Sequence, residues 1–307
     1  MIYLFLCLGL LILLGGGKLL VDGASSLALK FGLSQGFIGL TIVAFGTSAP
    51  ELLVSLNAAL SGKGDIAIGN VIGSNIANIS LVLGISAVLF PIKINPSVFK
   101  VDYLVLVFSS ILFYLLSFNG VISRLEGFFL LIILILINIY FFFKLGKSNL
   151  NELEMDLILP LSGWKSSLFL ILGIFGLYYG ADMFVDSAVE IASIFGVSER
   201  IIGITVIAIG TSLPEMATSV IAALNKKTDI AVGNILGSNI MNILAIVGAT
   251  AVISPIPISE SFLNQDFYWM LGLTIVLFPI LRTGDRVTRI EGTFLFVAYI
   301  TYILIIL

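Results

Sequence analysis

Two stretches of this chain are one stretch written twice. Gly46 to Ile79 reads GTSAPELLVSLNAALSGKGDIAIGNVIGSNIANI, and Gly210 to Ile243 reads GTSLPEMATSVIAALNKKTDIAVGNILGSNIMNI. The glutamates (215 − 51), the Gly-Asn steps (234 − 70) and the last asparagines (242 − 78) all stand 164 residues apart. No insertion has entered either copy, so a single unit has been duplicated. Each copy sets a carboxylate, hydroxyls, a proline and an amide in sequence apolar enough to lie in a bilayer. An ionisable group is expensive there and points to function.

The chain around the repeat is built for membrane. It is 59% hydrophobic and 11% charged, with a mean hydropathy of +1.17, against about 45–50% apolar and about 25% charged in soluble domains. Apolar runs of the roughly 20 residues needed to cross about 30 Å of hydrocarbon fall near 2–21, 36–60, 66–90, 101–118 and 125–143. Five more lie near 166–187, 200–224, 230–253, 267–281 and 290–307. The halves also match outside the motif: Val21-Asp22 answers Val185-Asp186, and Arg124-Leu-Glu-Gly answers Arg289-Ile-Glu-Gly. The expected fold is therefore an all-α polytopic membrane protein of ten transmembrane helices. Because five is odd, the second half enters from the opposite side, which gives two inverted five-helix repeats. Residues 1–144 form the first, 145–165 a linker and 166–307 the second. The first apolar run has no Lys or Arg ahead of it, so it reads as a retained helix rather than a cleaved signal peptide.

Orientation follows the basic residues. Lys30, Lys93, Lys100, Lys144, Lys147, Lys165, Lys226, Lys227, Arg282, Arg286 and Arg289 lie on the side reached after the first span, against Lys63, Arg124 and Arg200 on the other. This places the linker, with Glu152, Glu154 and Asp156, in the cytoplasm and both termini outside a cell membrane. A net charge of −3 with no basic patch excludes nucleic acid as a partner. The single cysteine, Cys7, and the absence of histidine argue against intrachain disulfides and against zinc or copper chemistry. The expected partner on composition alone is the lipid bilayer, with no cofactor and the chain acting as a monomer; the ions Na⁺ and Ca²⁺ enter with the resemblance below.

Within each copy polar groups recur four residues apart: Thr47 with Glu51, Ser74 with Asn78, Thr211 with Glu215, Ser238 with Asn242. That spacing stacks each pair on one helix face. Pro50 and Pro214 lack an N–H and crowd the carbonyls of Gly46 and Gly210, so a helix break is expected there, with freed oxygens of the kind that coordinate ions at mid-membrane. Hard cations take oxygen ligands, about six to eight for Ca²⁺, and the glutamates, hydroxyls, amides and carbonyls supply that number. Gly69-x-x-x-Gly73 and Gly233-x-x-x-Gly237 are expected to bring the third and eighth helices close to their neighbours. Asp65 and Asp229 read as helix N-caps. Asp22, Asp182 and Asp186 read as caps or water-facing groups at helix ends.

GTSAPE with GNVIGSNIANI, and GTSLPE with GNILGSNIMNI, resemble the α-1 and α-2 repeats of the calcium/cation antiporter superfamily, over all ten spans. The resemblance is closest to prokaryotic sodium/calcium exchangers. It implies ten helices in two inverted halves and Na⁺-driven Ca²⁺ exchange at a site enclosed by helices two, three, seven and eight. It makes Glu51 and Glu215 the central ligands and adds Thr47, Ser48, Ser74 and Asn78, mirrored by Thr211, Ser212, Ser238 and Asn242. The backbone carbonyls of Ala44 and Ala208 complete the set. Many such exchangers carry Asp where this chain has Asn242, the potassium-dependent branch characteristically, so the resemblance argues against potassium cotransport.

Three other readings compete. A Ca²⁺/H⁺ or other cation antiporter would share the architecture, although the proton-coupled branch typically has a second acid where this chain has GNVIG and GNILG. A cation channel would share the carboxylates. An intramembrane hydrolase on Asp65, in the string Gly62-Lys63-Gly64-Asp65, or on a serine of GTS lacks a histidine or lysine base beside it, so the chain is not expected to be an enzyme.

Overall fold

The computed structural model describes residues 1–95, 98–145, 161–196, 208–282, 284 and 286–306. Nearly all of them are helical. The first helix, α1 (Ile2–Phe31), runs unbroken because nothing in its apolar sequence interrupts it, and it ends where Gly32 adopts a left-handed φ of 62°. It pairs along its length with α7 (Gly163–Ile194). Both are longer than the expected spans.

Small residues make this pairing possible. A methyl group on Gly9 would meet Phe184 N at 2.7 Å, and one on Gly16 would meet Leu177 N at 2.6 Å. In the other direction Gly173 faces Leu20 N at 2.6 Å and Gly180 faces Leu13 N at 2.5 Å. Backbone lies against backbone, as small-residue seams allow. The outer faces stay bare: Tyr3, Leu4, Leu11, Phe175 and Tyr179 are exposed. A soluble monomer rarely shows an apolar surface of this extent, whereas a bilayer requires it.

Behind that pair lies the core. Helices α4 (Gly64–Leu89) and α10 (Thr228–Ile253) are each 83% buried over their apolar window. Both widen into a π-helical turn at the last asparagine of the motif, Asn78–Val82 and Asn242–Val247, and such turns gather at functional positions. Against them pack two interrupted helices. The first is α2 (Gln35–Thr47), which breaks at Ser48 (φ −86°, ψ 6°) and continues at a 45° bend as α3 (Ala49–Leu60). The second is α8 (Ala208–Thr211), which breaks at Ser212 (φ −90°, ψ 4°) and continues as α9 (Leu213–Leu224). Pro50 and Pro214 fall in the first turn of α3 and α9, where the missing N–H is harmless. The break thus sits two residues after Gly46 and Gly210, at the serine that starts the new helix.

The outer helices are α5 (Tyr103–Ser117), α6 (Arg124–Leu145), α11 (Phe267–Arg282) and α12 (Arg289–Ile306). The matched Arg-x-Glu-Gly strings open α6 and α12 through capping boxes. Ser123 N donates to Glu126 Oε2 (2.7 Å) while Glu126 N donates to Ser123 Oγ (3.3 Å). Thr288 and Glu291 do the same at 2.8 and 3.3 Å. Four two-residue strands tie the helix ends together: β1 (Ile92–Lys93) pairs with β4 (Arg286–Val287), and β2 (Val121–Ile122) with β3 (Ile256–Pro257). Both ladders join one half of the chain to the other.

Among the described residues, seven helices are long and apolar enough to cross a membrane, and the bent α2–α3 pair makes eight. Two expected spans fall short for separate reasons. The seventh is expected from residue 200, and residues 197–207 lie outside the described residues, while α11 has only 16 residues with Pro279 inside. Most of the linker, residues 146–160, is also outside them, with Lys147, Glu152, Glu154 and Asp156.

The cap assignments need correcting. Lys63 and Lys227 occupy the N-cap positions of α4 and α10, and Asp65 and Asp229 lie in the first helical turn. There a carboxylate still favours the positive helix end, and Asp65 accepts the hydroxyl of Ser259 at 2.7 Å. Asp22 is inside α1 rather than at its end and pairs with Lys227 at 3.2 Å, tying α1 to the start of α10. Asp182 and Asp186 are exposed along α7, well before its end.

Candidate functional site

The two breaks bring the two copies of the motif together. Glu51 and Glu215 each stand in the first turn after a break, and neither has any solvent exposure. The turn that leads into Glu51 touches Glu215 through Ser48. Two buried carboxylates held this way cost several kcal/mol unless something positive meets them.

Hydrogen bonds cross between the halves at one end of the site. Ser48 Oγ donates across to Glu215 Oε1 (2.9 Å), the oxygen that Ser238 Oγ of its own half also reaches (3.4 Å). Thr47 Oγ1 lies 3.0 Å from Asn234 Oδ1 and 3.3 Å from Ser238 Oγ. The Ala44 carbonyl accepts Ser48 N at 3.0 Å and lies 3.2 Å from Thr47 Oγ1. Ala208 opens α8, and its side chain is outside the described residues.

The remaining polar atoms have no such partners. Both oxygens of Glu51, Oε2 of Glu215, both amide atoms of Asn78 and Asn242, and Ser212 Oγ are buried without a hydrogen-bond partner among the described residues. Buried polar groups are nearly always paired, and each one left bare costs about 1–3 kcal/mol. Six of these atoms are oxygens: two of Glu51 and one each of Glu215, Asn78, Asn242 and Ser212. Bare oxygens on two buried carboxylates, with amides and a hydroxyl of the same two motif copies, are the ligand type a hard cation takes.

Ser74 and Thr211, the other expected ligands, line a cavity of about 240 Å³ together with Asn70, Gly73, Asp266 and Tyr302. The two motif copies are therefore not equivalent here. Gly233 and Gly237 of α10 are packed shut: a methyl group on Gly233 would meet Gly36 O at 2.6 Å, and one on Gly237 would meet Ala44 Cβ at 2.8 Å. Their counterparts differ, Gly69 having only Phe262 at 3.5 Å and Gly73 nothing within 4 Å among the described residues.

The sequence of this chain matches the profile of a family described as "Sodium/calcium exchanger protein" over residues 1–143 and 165–307. The chain belongs to the sodium/calcium exchanger family. Its family relatives include CaxA of Alkalimonas amylolytica, 40% identical over 97% of this chain and 96% of that one. The sodium/calcium exchanger MaX1 of Methanosarcina acetivorans is 33% identical, covering 99% and 98%. A solved structure of the sodium-calcium exchanger NCX_Mj superimposes with a TM-score of 0.85 at 31% identity, covering 99% of this chain and 98% of that one.

This exchanger-family chain also uses residues that motif reading passed over. Asn70 Nδ2 donates to the Glu51 carbonyl (3.1 Å) and to Ser55 Oγ (2.9 Å). Asn234 Nδ2 donates to the Glu215 carbonyl (3.4 Å) and to Ser219 Oγ (3.0 Å). Each amide fixes the turn that carries its glutamate. The signal was present, since Asn70/Asn234 and Ser55/Ser219 share the 164-residue offset, but spacing cannot distinguish a ligand from the group that holds one.

Proposed function

We propose that this chain is a secondary antiporter that exchanges Na⁺ for Ca²⁺ by alternating access, both ions competing for one site on Glu51 and Glu215. The observation that carries the proposal is the pair of fully buried carboxylates with unpartnered oxygens, with the π-turns that begin at Asn78 and Asn242 packed against the helices of Glu215 and Glu51. With both glutamates ionised the site carries −2, which one Ca²⁺ neutralises or two to three Na⁺ replace, so the cavity holds one load or the other. Without ions, two like charges remain buried together, which disfavours switching and suppresses leak. Thr47, Ser48, Ser74, Asn78, Thr211, Ser212, Ser238 and Asn242 supply further oxygens, with the carbonyls of Ala44 and Ala208.

Residues 1–144 and 166–307 form two inverted five-helix repeats of ten spans in all, joined by a cytoplasmic linker. The strand pairs support this. The offset is 164 between β1 and β3 and 165 between β2 and β4, so exchanging the halves turns the β1·β4 ladder into the β2·β3 ladder. The seam between α1 and α7 behaves alike, because Gly9 facing Gly180 becomes Gly173 facing Gly16. With that seam holding them together as a pair, α1 and α7 slide over the core to expose either face.

The test is Ca²⁺ uptake into proteoliposomes driven in turn by Na⁺, K⁺ and pH gradients. Uptake is expected only with internal Na⁺. Uptake without a counter-ion would indicate a channel, and uptake driven by pH alone a proton antiporter. Potassium is expected to be dispensable, since both motif copies end in Asn and the third acid is missing. Asn242→Asp is expected to change the ion preference by adding charge to the cavity, and a K⁺ requirement in the parent would refute the role given to Asn242. For topology, a cysteine placed in the 146–160 linker is expected to react with impermeant reagents only after the cells are opened. Labelling of intact cells would reverse the assignment.

A further inference from the structure

Beyond the two glutamates, one acid faces the cavity that reaches their site. Asp266 closes the π-helical turn Phe262–Asp266 just ahead of α11. It is half-buried, and its carboxylate accepts a hydrogen bond from Tyr302 Oη of α12 at 2.8 Å. The same cavity is also lined by Asn70, Ser74 and Thr211 of the motif. A cation at Asp266 is thus already inside the space that borders the central ligands. The end of the molecule holding this turn is where β2 pairs with β3 and Asp65 binds Ser259, the end with few basic residues.

The duplication supplies an internal control. Subtracting 164 from Asp266 gives Asp102, which closes the matching π-helical turn Val98–Asp102. Asp102 is only 4% exposed, and its Oδ1 has no hydrogen-bond partner among the described residues. At that end, the counterparts of the open cavity residues are shut: Thr47 rests on Asn234 and Ser238, and Gly237 is packed against α2. The α12 register differs by one, so Ile137 stands where Tyr302 would be (302 − 165), and the second acid lacks a tyrosine. One acid opens onto a path to the site, while its equivalent lies buried where that path is closed.

We infer that Asp266 is an acceptance site for hard cations at the mouth of the cavity leading to Glu51 and Glu215, and that Asp102 is its equivalent for the opposite face. The inference rests on the exchange reading for the identity of the ions. Tyr302 fixes the carboxylate in the wall of the cavity, and a half-buried negative group in a largely apolar wall raises the local cation concentration. Its role is in positioning and selecting ions rather than in holding the transported ion.

Two measurements on the full chain test it. Terbium(III), an oxygen-seeking stand-in for Ca²⁺, luminesces when excited through nearby aromatic rings, and Trp269 lies 5.6 Å from Tyr302 between ring centroids. In purified Glu51→Gln/Glu215→Gln protein, sensitised luminescence is expected to persist. Adding Asp266→Asn should reduce it at least about fivefold, and Asp266→Glu should retain it. Luminescence indifferent to Asp266→Asn overturns the inference, whether or not the protein exchanges ions.

In proteoliposomes, Asp266→Asn is expected to raise the half-saturating Ca²⁺ concentration about three- to tenfold with the maximal rate retained, and only for Ca²⁺ offered on the face opposite the linker. Asp102→Asn should do so only from the linker face. An equal effect from both faces, or a lower maximal rate at unchanged half-saturation, also overturns it. Failure of the parent to exchange Na⁺ for Ca²⁺ would remove the functional reading alone, since the terbium result still decides whether Asp266 binds a cation.

Discussion

Replacing either central glutamate by glutamine is expected to abolish Na⁺-driven Ca²⁺ uptake while the protein still folds. Glutamine keeps the shape and one oxygen of the side chain but halves the charge that a divalent ion must meet. Removing one member of a buried charged set costs roughly 3–5 kcal/mol, which corresponds to a loss of Ca²⁺ affinity of about 100-fold or more. The two variants differ in what they leave behind. Glu215 Oε1 accepts Ser48 of the other half, so Glu215→Gln also weakens the contact between halves, whereas both Glu51 oxygens lack partners among the described residues and Glu51→Gln is expected to act on the ion. Isothermal titration with Ca²⁺, beside size-exclusion profiles and uptake assays, checks this. Near-parental uptake in either folded variant would exclude a site built on both carboxylates.

The second large effect is expected at Gly237. A methyl group there runs into the Leu40 carbonyl oxygen and lies 2.8 Å from Ala44 Cβ, and neither neighbour is a flexible side-chain end that can turn away. Overpacking of this kind costs about 1–3 kcal/mol. Because it falls on the conformation in which α2 lies against α10, it shifts the balance between conformations by about 5- to 150-fold. Gly237→Ala is therefore expected to lower both thermal stability in detergent and the exchange rate. Gly73→Ala meets nothing within 4 Å among the described residues, so stability should be unchanged while exchange slows if α4 must be covered during the cycle. Parental stability in Gly237→Ala would show that α2 does not rest on α10 in the protein as purified.

The capping errors and the missed amides have a common origin. A sequence pattern records which polar groups are present and how far apart, and at a helix start an aspartate one residue inside the helix looks much like a cap. Asp65 and Asp229 fall on that side of the line because Lys63 and Lys227 take the cap position. Asp22 sits inside α1, and its partner, Lys227, is 205 residues away, beyond the reach of any local pattern. The break after Gly46 was foreseen from Pro50, but its position at Ser48 follows from Pro50 being accommodated in the first turn of the next helix.

What the sequence determined by itself is whatever depends on local spacing and composition. It specified an apolar helical chain, a duplicated unit with paired glutamates, helix breaks beside the prolines and an oxygen-rich set of candidate ligands. These are legible because the membrane penalises every buried polar group, so few are present and each one carries information. Only the tertiary structure decided how the copies meet: that Ser48 of one reaches Glu215 of the other, that Asn70 and Asn234 steady the glutamate turns, and that Gly237 is covered while Gly73 is not. Two copies of nearly the same sequence adopt different surroundings because α1, α7 and the crossed strand pairs must pack both around one core. Gly237 is covered by α2 while Gly73 lines a cavity, and that difference belongs to the packing of the whole molecule.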